Sequence, residues 1–399
     1  MGAICRALVI GRAPCGTYHR RVTTSTSLSN IAPLATQPYP DARTSRFAPL
    51  ATPQFDEWFG SELTAMAGEV AAAVGGTFRG LVLGGGYGRG EGGIVVRHGL
   101  ERPYNDVDLF LFVEKPRAVA TATIGAISAR YHQRLGVAVD VSRPYRPSEI
   151  SSWRPTLMWH ELAARHVVLK GPATLVDHLC PPQVRETPPA TEALRLLLNR
   201  GAGLLWALRV ARGFEPAPDE DFFRRNYYKC LLGCGDALLI AHRAYGRSFA
   251  ARGDRLRALP TVSLPASRAA LFDGYTAARR FKLAPDTLDG TAPSVSGLNH
   301  AAALWAEALL TVESVRTGRP WPSLSAYTAW SGNRETTTGS VTARLRHLAM
   351  NLRAGRLAVR HPREPLYRAL PGLLVLPSQG AAGWSMATAH FLARWRAAQ

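Results

Sequence analysis

The sequence predicts an α/β (α+β) domain followed by an all-helical C-terminal domain, and three observations support this. Apolar runs of strand length, Phe78–Leu83 and Val107–Val113, alternate with helical stripes up to about residue 172. Beyond the proline-rich stretch "CPPQVRETPPA", Cys180–Ala190, strand signals thin out and helical periodicity takes over. At 399 residues, 46% of them hydrophobic, the chain is long enough to bury two cores.

Residues 1–52 differ from the rest of the chain. They are rich in Ser, Thr, Pro and Arg, Asp41 is their only acid, and "APLAT" occurs twice, at Ala32–Thr36 and Ala48–Thr52. They read as a flexible leader outside the fold, with a composition shared by transit peptides and bacterial leaders. From Phe55 onward an amphipathic helix begins, and residues 53–180 form the first domain. Strand Phe78–Leu83 leads into a glycine-rich loop, and strand Val107–Val113 comes after it. Pro116 is placed to open a helix through about Arg134. A short strand at Val137–Ser142, a helix at Thr156–Arg165 and a strand at His166–Leu169 complete this domain. In the second domain, 191–399, helices are expected at Thr191–Arg212, Asp221–Tyr245, Ala266–Arg280, Leu298–Thr317, Val341–Arg353 and Ser385–Ala398. "SGNRETTTGS", Ser331–Ser340, reads as an exposed loop.

The net charge of +19 points to polyanions. Only four of the 48 basic residues are lysines, and the arginines are spread along the whole chain. That skew fits a GC-rich genome better than a dedicated nucleic-acid groove. Five cysteines, Cys5, Cys15, Cys180, Cys230 and Cys234, show no zinc spacing and read as reduced thiols of a cytoplasmic protein. No apolar run approaches the ~18 residues of a membrane span, so no membrane partner is expected.

Function is written in two stretches. "LVLGGGYGRGEGG", Leu81–Gly93, holds seven glycines in thirteen residues. Glycine costs backbone entropy, so the run needs something that must approach the backbone closely. In "NDVDLFLF", Asp106 and Asp108 are two apart at the start of a strand, so both face one side. Two adjacent anions beside an apolar strand require a cation. Asp140 is a single acid among apolar residues in a third strand. If the strands are neighbours, three carboxylates converge as Mg²⁺ (or Mn²⁺) ligands. The glycine backbone could then cradle a phosphate.

The pair "GGYGRGE" (Gly85–Glu91) and "NDVDLFLF" resembles the nucleotidyltransferase fold of the DNA polymerase β superfamily. The loop is most similar to bacterial uridylyltransferases of nitrogen signalling, which are much longer. The likeness covers residues 78 to about 172. It implies a short mixed sheet, metal held by Asp106, Asp108 and Asp140, and a nucleoside triphosphate at Gly85, Gly86, Tyr87 and Arg89. Asp140 would also activate an acceptor hydroxyl. Nineteen residues separate Gly86 from Asp106, more than the family's usual interval, and "GGIVVRHGLERPYN" reads as an inserted hairpin or flap. The implied reaction is transfer of a nucleoside monophosphate, AMP from ATP by first choice, with release of pyrophosphate. The acceptor stays open between a protein side chain, an RNA end and a small molecule. The alternative is a catalytically silent nucleotide- or RNA-binding regulatory module.

Other motifs carry less. Gly88-x-Gly90-x-x-Gly93 matches a dinucleotide fingerprint, but no helical stripe comes after it. A P-loop is excluded because no Gly-Lys-Ser/Thr is present. "HELAARH", His160–His166, has the wrong spacing for a zinc protease and reads as a surface helix end. Arg225, Lys229, Leu232 and Asp236 share one helical face. Lys229 either meets the triphosphate, as a basic residue of the helical domain does in related transferases, or belongs to a solvated Lys–Asp face. Gly233 and Gly235 in mid-helix suggest close helix packing or a bend.

Overall fold

A computed structural model describes residues 45–288, 290–335, 341–353, 357–375 and 380–398. Most of the expected leader, including the first "APLAT" copy, lies outside these residues. Its last eight residues belong to the fold, which corrects the boundary at 52. Phe47, Ala48 and Ala51 are buried, and the Phe47 ring meets Phe59 edge-on at 5.3 Å. The Ser45 hydroxyl donates to Asp56 at 2.6 Å. The second "APLAT" copy is therefore a core strap.

Helix α1, Pro53–Val74, starts with a proline where no N–H partner is needed. It buries the stripe Phe55, Phe59, Leu63, Met66 and Val70. Strand β1, Phe78–Leu83, and the single turn α2, Gly85–Gly88, come next. The expected flap is a hairpin, β2 (Ile94–Arg97) and β3 (Leu100–Pro103). His98 and Gly99 both have positive φ at its tip, as a tight hairpin turn demands. Strand β4 is Val107–Val113. Pro116 opens a short 3₁₀ turn rather than the long helix, and α3 begins at Thr121 and runs to Leu135. Then come β5 (Val139–Val141), α4 (Leu157–Ala164), β6 (Val167–Lys170) and α5 (Pro182–Arg185).

Strands β1, β4, β5 and β6 form one mixed sheet in the order β5-β4-β1-β6. β1 is antiparallel to both neighbours, whereas β4 and β5 run parallel and pair Asp108 with Asp140. Leu81, Leu83, Leu109 and Leu111 pack towards α1 and α3. Val82, Phe110 and Phe112 face Trp153 and Trp159, which stack on each other at 3.9 Å. The expected linker is part of this second layer, since Cys180 and Val184 are buried in it.

The remainder is helical: α6 (Ala190–Ala211), α7 (Phe222–Ala241), α8 (Phe249–Arg257), α9 (Arg268–Leu283) and α10 (Val295–Thr317). After these come α11 (Leu324–Ala329), α12 (Val341–Arg353), α13 (Glu364–Leu374) and α14 (Ala381–Ala397). α8, α11 and α13 are not among the expected helices. α8 is short and polar, and α13 keeps an apolar stripe, Leu366, Tyr367, Leu370 and Leu374, in spite of the internal Pro371 that argues against a helix. The mid-helix glycines of α7 are close-packing sites. A methyl on Gly233 would stand 2.5 Å from Arg200, and one on Gly235 would stand 2.2 Å from the Tyr275 ring. In the expected exposed loop, Arg334 and Glu335 are buried, while 336–340 lie outside the described residues. Glu335 accepts from Arg195 and Tyr367, which pulls this end of the loop inward. No helix among the described residues is long and apolar enough to cross a membrane.

Candidate metal and phosphate site

Asp106 lies just before β4, Asp108 is its second residue, and Asp140 is the partner of Asp108 across the parallel pair. Each offers one carboxylate oxygen within 4.8 Å of the other two. All three are half-buried. Among the described residues they form the only group of three or more such side chains able to hold a metal ion. Burial, then Asp106 and Asp140, push the Asp108 carboxyl well above the usual range. Burial and Asp106 raise Asp140 to about 6, with His132 partly offsetting them. One buried oxygen of Asp140, Oδ2, has no hydrogen-bond partner. An all-oxygen set, crowded with like charge and holding an unpartnered buried acceptor, fits a hard divalent cation.

The glycine loop sits against these acids. The Gly84 N–H donates to the Asp108 carbonyl at 2.9 Å. Gly85 has φ +59°, and a methyl there would stand 2.0 Å from Asp108 Oδ2. No side chain is possible without moving the carboxylate. The other glycines mostly answer to the protein itself, which narrows the expected phosphate cradle. Methyls on Gly88, Gly92 and Gly93 would strike the Leu83 carbonyl at 2.2 Å, the Tyr87 ring at 2.1 Å and the Lys282 carbonyl at 2.2 Å. Of the two expected phosphate contacts, Gly85 lies against Asp108, whereas a methyl on Gly86 would stand 3.3 Å from the Glu91 carbonyl.

Tyr87 is fully buried. Its hydroxyl donates to the Gly93 carbonyl at 2.6 Å and accepts from the Tyr104 and Asn105 N–H groups. Its ring lies against Phe59. The side chain pins the loop, so only its backbone is left for a ligand. Arg89 is likewise enclosed, paired with Glu91 at 3.0 Å and Glu161 at 3.1 Å. The structure places neither side chain as a free nucleotide contact.

Arg89 instead opens a buried network that joins the sheet to the helices. The Glu161 carboxylate accepts from Tyr245 at 2.6 Å and from Arg252 at 3.3 Å. Arg252 reaches Asp236 at 3.6 Å, and Tyr275 donates to Asp236 at 2.7 Å. Glu91 accepts from the Phe249 N–H at 2.8 Å. Asp236 is thus buried, and the idea of a solvated Lys–Asp face fails.

Lys229 lies within electrostatic reach of the carboxylates. Burial pulls its ammonium below the usual lysine value, Asp106 and Asp108 act to keep it charged, and Arg200 and Arg225 oppose them. Arg225 is held by Asp219 at 2.5 and 2.7 Å. Arg200, on α6, carried no signal in the sequence, because one arginine among so many is invisible until packing places it. Tyr104, two residues before Asp106, meets Phe281 of α9 edge-on at 5.6 Å, another contact that only the tertiary structure creates.

The decoys resolve as expected for the most part. A strand, β2, begins directly after Gly93, against the dinucleotide fingerprint. His160 is buried rather than at a surface, its Nδ1 3.2 Å from the Val184 carbonyl. Cys180, Cys230 and Cys234 are buried free thiols. A scan against protein-family models finds no match to this chain, and a search of curated proteins finds none either.

Proposed function

We propose that this protein is a divalent-cation-dependent nucleotidyltransferase that moves a nucleoside monophosphate, AMP from ATP by first choice, onto a hydroxyl acceptor and releases pyrophosphate. One observation carries the proposal. Three carboxylates from adjacent strands converge beside a glycine with no room for a side chain, within electrostatic reach of a lysine from the helical region.

Asp106, Asp108 and Asp140 would hold Mg²⁺ or Mn²⁺, which when bound polarises phosphoryl oxygens and offsets the crowded negative charge. Asp140 keeps one buried oxygen without a partner, and its raised basicity suits it to accept the proton of the acceptor hydroxyl. Gly85 and Gly86 let a phosphate approach the backbone beside Asp108. Lys229, whose ammonium burial pulls down while Asp106 and Asp108 partly offset that, can bind a phosphate remote from the reacting one. The deciding experiment incubates the protein with each α-labelled nucleoside triphosphate, Mg²⁺ or Mn²⁺, and cell extract. Label transferred to an acceptor, with stoichiometric pyrophosphate and abolished by EDTA, is the expected result. Absence of transfer and of pyrophosphate with all four nucleotides would reject the assignment.

A further inference from the structure

A second cluster of positive charge lies on the far side of the glycine loop, at the edge strand β6. A cavity of about 430 Å³ opens there, lined among others by Arg46, Arg165, His166, Asp177 and Arg185. The volume is in the range of small-molecule sites, roughly 300–1,000 Å³. Its charges divide into spent and unspent. Arg185 is committed: it donates to the Ala163 carbonyl at 3.2 Å and to the Asp177 carboxylate at 3.0 Å. It thereby satisfies the carbonyl end of α4 and neutralises the one acid of the lining. Arg165 has no such partner. It is half-buried, and its Nη1 is buried with nothing to donate to. Arg46 is exposed, and its guanidinium lies over the Phe47 ring, 5.1 Å from the centroid. Two guanidinium groups are therefore left without a carboxylate on the lining of one concavity. A buried guanidinium N–H without an acceptor is costly unless something supplies one.

We infer that this cavity binds a small phosphate-bearing anion, at a site separate from the carboxylate cluster. Phosphate oxygens match the fork of an arginine, and the planar group can hold two of them at once. With only Arg46 and Arg165 uncommitted on the lining, the charge suits a compact anion rather than a continuous strand. Its position gives the site a use. Gly90 is wedged between the two partners: a methyl there would stand 2.9 Å from the Arg46 carbonyl and 3.4 Å from the Arg165 guanidinium. The next link is direct, since the Gly92 N–H donates to the Phe47 carbonyl at 3.0 Å. An anion drawing Arg46 and Arg165 together braces the loop that carries Gly85, which lies against Asp108.

The test is calorimetric titration of the full chain with pyrophosphate in EDTA at physiological ionic strength. Without divalent cations, the carboxylate cluster does not recruit phosphate, so this measurement is independent of the proposed transfer reaction. Saturable binding of one pyrophosphate per chain is expected. Arg165→Gln should weaken it about ten- to hundredfold, as loss of a charge-assisted hydrogen bond does. Arg46→Gln, a substitution at an exposed side chain, should weaken it in the same direction. Lys229→Ala and Asp108→Asn should leave it unchanged. Parallel titrations with inorganic phosphate and AMP identify the source: tighter AMP binding assigns a nucleotide, and equal binding assigns a free phosphate. Non-saturable binding, insensitivity to both arginine substitutions, or loss in Lys229→Ala would overturn the inference.

Discussion

Two clusters of charge meet the glycine loop, and they are built on opposite terms. In the network of Arg89, Arg252, Lys282, Glu91, Glu161 and Asp236, three cations meet three carboxylates. Burial alone would push Glu161 up, but Arg89, Arg252 and the Tyr245 hydrogen bond hold it down to about 2. Burial and the repulsion of Arg89 bring Lys282 down to about 8. In the cluster of Asp106, Asp108 and Asp140, like charges crowd together, and the same burial raises Asp108 and Asp140. Burial is common to both; in the network it is overcome at Glu161, while Asp236 stays above its ordinary value in spite of Arg252. A balanced network fastens the sheet to the helices, whereas an unbalanced one is complete only with a ligand.

Removing one acid from each cluster should therefore have opposite consequences. Asp108→Asn is expected to abolish nucleotidyl transfer, the largest effect, while raising the thermal midpoint of the metal-free protein because repulsion is relieved. Transfer at near-normal rate in this variant would remove the acids from the chemistry. In the balanced network, Glu161→Gln leaves Arg89 and Arg252 short of their shared partner. It should cost about 3–5 kcal/mol in urea unfolding, as loss of one member of a buried ion pair does. A cost below about 1 kcal/mol, the range of a surface pair, would mean the network is solvated.

Lys229 tests whether the helical region serves the open cluster. Lys229→Ala should weaken triphosphate binding about ten- to hundredfold, or ~1.5–3 kcal/mol, with much less effect on a monophosphate. Equal changes in the two dissociation constants would assign it a structural part only.

The smallest effect is a difference in pH slope. Asp140, raised to about 6, binds its proton more tightly in the native state than the ordinary carboxylate of an unfolded chain. Its contribution is thus intact at low pH and is lost as pH rises from about 4 to about 6. Glu161, held at about 2, stabilises the native state above about pH 4.5, and that contribution is lost as pH falls towards 2. Denaturation of the EDTA-treated protein from pH 3.5 to 7 should show the falling limb, flattened by Asp140→Asn. An unchanged slope in that variant would contradict the raised value.

Much of the frame was legible without coordinates. Strands β1 and β4 have the bounds expected from their apolar runs, since each side of the sheet is covered and both faces must be apolar. The three acids were legible because an isolated carboxylate in an apolar strand contradicts its surroundings. Arg334, Glu335 and His160 read as exposed in the sequence because polarity is a poor proxy for solvent, and their hydrogen-bonding partners are remote along the chain.

By itself, the sequence determined the periodicities, the placement of glycine and aspartate, and hence an α+β region with a candidate oxygen-ligand site. Those properties are local, set by the alternation of a strand and by residues with one available physical use. The tertiary structure alone decided that Asp140 pairs with Asp108, that Gly85 must lack a side chain, and that Arg89 and Tyr87 are committed to the protein. It also decided that Lys229 comes within electrostatic reach of the acids while Asp236, on the same helix, is bound by Tyr275. Whether a charge is spent depends on what stands within a few ångströms of it, and that distance is fixed by chain segments far apart in sequence.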